Sequence, residues 1–397
     1  MTRVILFHQH DPGMVHVGGI GTFLNTFIKH APQDFEVRMV GVSSDPDARP
    51  IGRWHELEVG GRACRFFPVV SAHPNYRGKV PISVLFSWAI RQHLPQLDVV
   101  GAVLDVHRIE PLVPLRRLPN PKVLVLHAHS MDLYNPHTEV IWKKAPWLYF
   151  WMERRLIHDM AQVFIVREDA VAWYRKTYPS IAERVAFLPT WVDEDVFISL
   201  PEAQRAEQRR QLAAQHGFDP ASRLLLFVGR FEGQKDPLLL LESFRRLNGL
   251  RSRSRLVMIG QGSMEASIRA FIAEHGLEDQ VRVLGPQPQT DIARWMNAAD
   301  CLCLSSAFEG MPRVVVESLG CGLPVVTTAV GEAPRLLQSE RAGRLVHERT
   351  PEALSAAIAS LVAQPPDRQA CRQQSAPFTA KKILEQVYAA YRRLGAR

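Results

Sequence analysis

Two cations and two carboxylates stand out in this sequence by type and spacing. In FVGRFEGQKDPLLLLESF a glycine follows a strand-like run, then come Arg230 and Lys235, then a helix opening near Pro237. A guanidinium fork, an ammonium and a helix N-terminus together make a diphosphate site. A basic surface loop is the competing reading of the same residues. Farther on, DCLCLSSAFEGMPRVVVESLGCGLPVVTT carries Glu309 in a loop opened by Gly310 and Pro312, and Glu317 on a helix over Arg313–Leu319. A glycosidase pair needs carboxyls roughly 5–9.5 Å apart. An eight-residue helical step is about 12 Å long, so the spacing favours two groups that bracket an extended ligand. Ser306-x-x-Glu309 also fits a capping box, although Gly310 and Pro312 work against a helix starting at Ala307.

Near the start, RVILFH is a strand candidate followed by QHDPGMVHVGGIGT and a helix over Thr22–His30. Strand, glycine-rich loop and helix aim backbone N–H groups at a phosphate, but Gly18, Gly19 and Gly21 do not have the dinucleotide G-x-G-x-x-G spacing. His127 and His129 follow KVLVL at a strand's carboxyl end, where ligands of open α/β sheets bind. Between them, a structural and a functional reading are evenly balanced. The stretch 141–155, IWKKAPWLYFWMERR, interleaves aromatics with Lys143, Lys144, Arg154 and Arg155. Such a segment suits an anionic membrane surface, or equally a core helix with charged ends.

These residues need scaffolds to hold them. β-like runs at Glu36–Val42, Trp54–Val59, Arg65–Val70, Val99–Asp105 and Lys122–His127 alternate with helices, which signals a parallel sheet covered on both faces. A second series begins at Arg223, with strands RLLLFVG, RLVMIG, VRVLG, CLCLS, PVVTT and GRLV and helices between them. PTWVDEDVF (189–197) reads as the hinge. The expected fold is therefore α/β with two doubly wound domains, 1–195 and 196–377, and an amphipathic last helix.

The 397 residues suit two or three domains, and 46% hydrophobic with 22% charged content is ordinary for a soluble enzyme. The net charge of +8 suits an anionic ligand or surface without indicating nucleic acid. No apolar run is long enough for a transmembrane helix, and the N-terminus does not read as a signal peptide. Five scattered cysteines (Cys64, Cys301, Cys303, Cys321, Cys371) point to reduced core thiols rather than a metal site.

Arg230 with Lys235, the GQG turn at 260–262 and EGMPRVVVESLGCGLPVV resemble the large family of retaining, metal-independent glycosyltransferases with the GT-B fold: two Rossmann-like domains facing across a cleft. The resemblance extends over GGIGT, the strand-end histidine and LPTWVDEDVF. It implies Arg230 and Lys235 on the donor diphosphate and Glu317 on the ribose hydroxyls. Glu309 with the Gly310–Met311 backbone would hold the transferred sugar. Gly19 would let the N-terminal loop approach the phosphates, and His127 would face the reacting side of the sugar, with His129 as the fallback. Residues 378–397 would cross back onto the first domain. Trp191 departs from the family's small hinge residue, Pro312 stands where a glycine often donates, and Arg313 adds a charge beside the site. The implied function is transfer of a hexosyl group from a nucleotide-diphosphate sugar to a saccharide or lipid-linked acceptor in cell-surface polysaccharide or glycolipid synthesis. Neither cofactor nor metal is implied. The expected location is cytoplasmic, with peripheral attachment to the inner membrane face as a further expectation. Alternatives on the same fold are a nucleotide-sugar epimerase and an inactive nucleotide-sugar-binding protein.

Overall fold

The computed structural model describes residues 1–14, 19–73, 76, 78, 80–134, 141–249 and 254–396. The chain forms two compact units. One comprises Ile20–Pro189 together with the first strand and Lys381–Arg397; the other is Thr190–Ala380.

The first unit is built on strands β1 (Thr2–Phe7), β2 (Phe35–Ser43), β3 (His55–Val59), β4 (Arg62–Ser71), β5 (Ala102–Val106), β6 (Lys122–Leu126), β7 (Gln162–Ile165) and β8 (Val185–Phe187). Their order in the sheet is β3-β4-β2-β1-β5-β6-β7-β8. All neighbours run parallel except β3, which returns antiparallel on β4 at the edge. β5 and β6 are buried along their whole length, as expected for parallel strands covered on both faces. Helix α1 (Gly19–Lys29) places Phe27 against Tyr388 and Tyr391 of the C-terminal helix, Ala380–Gly395. Burying each such ring contributes roughly 1.5–3 kcal/mol, so the last helix is held by apolar area as well as by Arg392, whose Nε donates to Asp34 Oδ2 at 2.7 Å.

The basic aromatic stretch 141–155 is not one helix. A short 3-10 turn, Ile141–Lys144, precedes α2 (Pro146–Leu156). Ala145, ahead of Pro146, sits at φ −147°, ψ 62°, because the proline ring disfavours helical geometry in the residue before it.

The second unit contains β9 (Arg223–Val228), β10 (Ser254–Ile259), β11 (Val281–Leu284), β12 (Cys301–Leu304), β13 (Val325–Thr328) and β14 (Gly343–Val346). They form an all-parallel sheet in the order β11-β10-β9-β12-β13-β14. Helix α3 (Pro237–Gly249) follows the loop after β9, and α4 (Arg313–Gly320) follows the loop after β12. In both sheets the strand order reverses direction once, between β1 and β5 and between β9 and β12. Loops leaving the carboxyl ends of strands at such a reversal border a crevice.

Candidate active site

In the second unit the reversal brings the loop 229–236 beside the loop 305–312. Polar contacts stitch them together. Ser305 Oγ donates to the carbonyls of Lys235 and Asp236, at 3.0 and 2.7 Å. The backbone N–H of Ala307 donates to Gln234 O at 2.8 Å, and Gln234 Nε2 donates to Phe308 O at 3.2 Å. Gln234 Oε1 in turn accepts from an Arg230 guanidinium nitrogen at 2.8 Å. Asp236 takes the left-handed region, φ 44°. Local strain of this kind persists only where the surroundings over-determine it.

Two glycines let further loops pack closely behind these two. A Cβ on Gly260 would lie 1.9 Å from the carbonyl oxygen of Gly229, below the diphosphate candidates. Gly331, at φ +54°, backs the other loop, where a Cβ would fall 2.3 Å from the carbonyl oxygens of both Glu309 and Gly310. Gly310 O also accepts from Glu332 N at 2.9 Å. The Met311 sulfur accepts from Thr190 N at 3.1 Å.

The carboxylates and cations are paired. Lys235 forms an ion pair with Glu309 Oε1, which also accepts from Ser306 Oγ at 2.7 Å. Arg313 Nε donates to Glu317 Oε1 at 2.7 Å. Glu309, Glu317 and Arg313 are all buried. Ser306 and Glu309 do not form a capping box, because the helix starts at Arg313. Arg230 is exposed. The chemistry available is therefore anion binding by Arg230 and Lys235, with the buried carboxylate Glu309 beside Lys235 and a second buried carboxylate, Glu317, paired with Arg313.

In the first unit, histidines follow three neighbouring strands: His8 after β1, His107 after β5 and His127 after β6. His107 Nδ1 and His127 Nε2 share a 2.8 Å hydrogen bond, and the two rings stack 5.1 Å apart. Phe23 of α1 meets both edge-on, at 4.9 Å from His127 and 5.5 Å from His107. Desolvation and the neighbouring His107 hold His127 well below the usual histidine range, and His8 is lowered in the same way. His129, the fallback, lies elsewhere: its Nδ1 accepts from Met131 N at 3.0 Å and its ring packs edge-on against Trp173.

Beside His129, Ser130 Oγ donates to the buried Glu153 at 2.5 Å, with Tyr174 and Tyr178 hydroxyls donating at 2.6 and 2.9 Å. Burial pushes the Glu153 carboxyl above its ordinary range. Gly19 is the first residue of α1, and a Cβ there would meet nothing within 4 Å. Gly18 and the loop residues just before it fall outside the described residues.

Sequence reasoning missed His8, His107, Asp105 and Tyr391. The signal was present: RVILFH, AVLDVH and KVLVLH each end a buried strand on histidine. The hinge Trp191 is fully buried, and Val192 pairs with Thr379. All five cysteines are free and buried. Helix α2 leaves Trp147 and Trp151 exposed while burying Glu153 and Leu156, and the Arg155 guanidinium lies 5.4 Å over the Trp151 ring. No helix of the described residues is long and apolar enough to cross a membrane.

Comparison with known proteins gives two adjoining family matches: Glycosyltransferase Family 4 over residues 17–196 and Glycosyl transferases group 1 over 208–376. A D-inositol 3-phosphate glycosyltransferase of Pseudarthrobacter chlorophenolicus is 31% identical over 198 residues, covering 49% of this chain and 46% of the relative. The chain spans about half the length of the curated relatives it first matches. A sucrose-phosphate synthase from Thermosynechococcus elongatus has the same fold, with TM-score 0.82 at 19% identity and full coverage of both chains. Anabaena HepE, solved in complex with UDP-glucose, superposes with TM-score 0.72 at 18% identity, covering 99% of this chain and 100% of that one. Such likenesses establish the fold as GT-B.

Proposed function

Since the chain belongs to the group 1, family 4-like glycosyltransferases, we propose that it transfers a hexosyl group from a nucleotide-diphosphate sugar, with retention and without a metal ion. The observation supporting this reading is the stitched pair of loops at the β9/β12 reversal, in which Lys235 pairs with Glu309, Arg230 is tied to the same loops through Gln234, and Glu317 pairs with Arg313 on the helix that follows. Arg230 and Lys235 take the donor diphosphate, Glu317 the ribose hydroxyls, and Glu309 with the Gly310–Met311 backbone the hydroxyls of the sugar. Gly19 leaves room for the phosphates, and His127 faces the sugar's reacting side.

The reaction is a displacement at the anomeric carbon. The bond from that carbon to the diphosphate oxygen breaks, the acceptor oxygen bonds on the same face, and its proton passes to the leaving phosphate. Negative charge grows on the leaving oxygen, and fixed cations stabilise it more strongly there than in water. Lys235 would exchange Glu309 for the diphosphate, which frees Glu309 to accept hydroxyl protons as the donor arrives.

The acceptor is a saccharide or a lipid-linked saccharide, in polysaccharide or glycolipid synthesis on the cytoplasmic side of the membrane. Exposed Trp147 and Trp151 beside Lys143, Lys144, Arg154 and Arg155 support an anionic lipid surface as a partner. Incubation with UDP-, GDP- and ADP-sugars and a panel of acceptors, followed by NMR, tests the function. Transfer lost in Glu309→Ala supports it; isomerised donor formed without acceptor would instead make the protein an epimerase.

A further inference from the structure

Three side chains from two places in the sequence run in series into His127. Tyr391 Oη, on the C-terminal helix, donates to Asp105 Oδ2 at 2.8 Å. The same carboxylate oxygen lies 3.5 Å from His107 Nε2, a buried nitrogen that makes no hydrogen bond among the described residues and has this oxygen as its acidic neighbour. His107 Nδ1 then shares its 2.8 Å bond with His127 Nε2. Asp105 and His107 sit two residues apart at the end of β5, so their side chains emerge on the same face of the sheet. Both are buried, as is Tyr391.

A neutral imidazole has one donor and one acceptor nitrogen, and the partner of one decides the state of the other. Asp105 Oδ2 accepts from the Tyr391 phenol, and the same acceptor oxygen faces His107 Nε2. An acceptor oxygen beside a ring nitrogen favours the proton on that nitrogen. His107 Nδ1 is then a lone pair, and the proton in the 2.8 Å bond belongs to His127 Nε2. That leaves His127 Nδ1 unprotonated. Among the described residues Nδ1 makes no hydrogen bond.

We propose that Asp105 and His107, held by Tyr391 of the C-terminal helix, are positioning residues that fix His127 in its Nε2–H tautomer, so that the nitrogen it offers a ligand is a hydrogen-bond acceptor. An acceptor nitrogen takes a hydroxyl and is repelled by phosphate oxygens. His127 therefore selects an O–H group of a sugar and not the diphosphate, a consequence that rests on the transferase reading above. Also at this array are the His8 ring, whose centre is 5.9 Å from that of His107, and the Phe23 ring, with His10 and Arg108 acting electrostatically on His8.

The test needs no donor or acceptor, so its failure leaves the transferase reading standing and the failure of that reading leaves the relay standing. The full chain is labelled with [15N]histidine, and long-range proton–nitrogen correlation reads each tautomer, with His127 assigned by its disappearance in His127→Gln. The expected result is a pyrrole-type Nε2 and a pyridine-type Nδ1 for His127. In Asp105→Asn the preference is expected to be lost, with Nδ1 shifting toward the pyrrole type, because an amide N–H can donate to His107 and reverse the chain. Tyr391→Phe is expected to shift it part of the way. An Nδ1–H tautomer in the unaltered protein overturns the proposal, and so does a His127 pattern unchanged in Asp105→Asn. Should Asp105→Asn fail to fold, the unaltered spectrum and Tyr391→Phe decide; a pattern unchanged in Tyr391→Phe then overturns it.

Discussion

Lys235 and Glu309, 74 residues apart in sequence, form an ion pair at the mouth of the second sheet, with side chains only 14% and 8% exposed. The pair joins the loop after β9 to the loop after β12, and each charge neutralises the other. On the proposed reading, binding of a diphosphate sugar is an exchange of partners at Lys235.

Truncating one member of this pair should cost stability as well as function. Lys235→Ala leaves a buried carboxylate with Ser306 as its remaining partner, and an uncompensated buried charge costs about 3–5 kcal/mol. The double variant Lys235→Met/Glu309→Gln removes both charges and is expected to recover most of that loss in urea unfolding. It should remain inactive. Recovery of turnover in the double variant would show that the pair serves folding alone.

Stability should fall on mild acidification. His8 and His127 are folded with pKa values well below 6.5, chiefly through desolvation and neighbouring histidines. Above the unfolded pKa neither state binds the proton and the contribution is complete. As pH falls below that value the unfolded chain takes up protons that the folded chain refuses. Each histidine then removes up to about 1.4 kcal/mol per pH unit. Urea midpoints at pH 7.5, 6.5 and 5.5 should drop mainly over the last step, and His8→Gln should make that step shallower. A midpoint flat from 7.5 to 5.5 would contradict the placement of these rings.

Thiol chemistry offers an independent check on the core. Burial pushes Cys64 and Cys371 up to about 12, and Cys301 and Cys321 are raised as well. The thiolate is the reactive form. A chromogenic disulfide reagent should find no rapidly reacting thiol in the native chain and five after denaturation, the full number in the sequence. One fast native thiol would place that cysteine outside the core.

Much of this architecture was legible in the chain, because hydrophobic periodicity is local. β1, β6, β9 and β12 follow from short apolar runs ended by histidine, glycine or serine, and α4 from its flanking proline and glycine. Strand order is not local. Nothing in the sequence says that β9 lies beside β12, so Lys235 and Glu309 could each be named as a candidate ligand contact but not as partners of one another. The antiparallel return of β3 and the break at Ala145 escaped for similar reasons of context. The relay into His127 was the least visible part. It needs Tyr391 from the last helix to reach Asp105, nearly three hundred residues earlier, and Asp105 alone reads as one more strand residue.

The central claim, that the β9/β12 loops bind the diphosphate of a nucleotide sugar, is tested most directly by calorimetric titration with UDP, GDP and ADP. One of the three is expected to bind the unaltered chain at a single site, more weakly as salt rises because the contacts are charge–charge. Loss of a cation–diphosphate contact is worth about 1.5–3 kcal/mol, so Arg230→Ala and Lys235→Ala should each weaken binding roughly ten- to a hundredfold. Glu317→Gln should weaken a ribonucleotide but leave inorganic diphosphate unaffected. Equal affinity in all three variants would contradict the account.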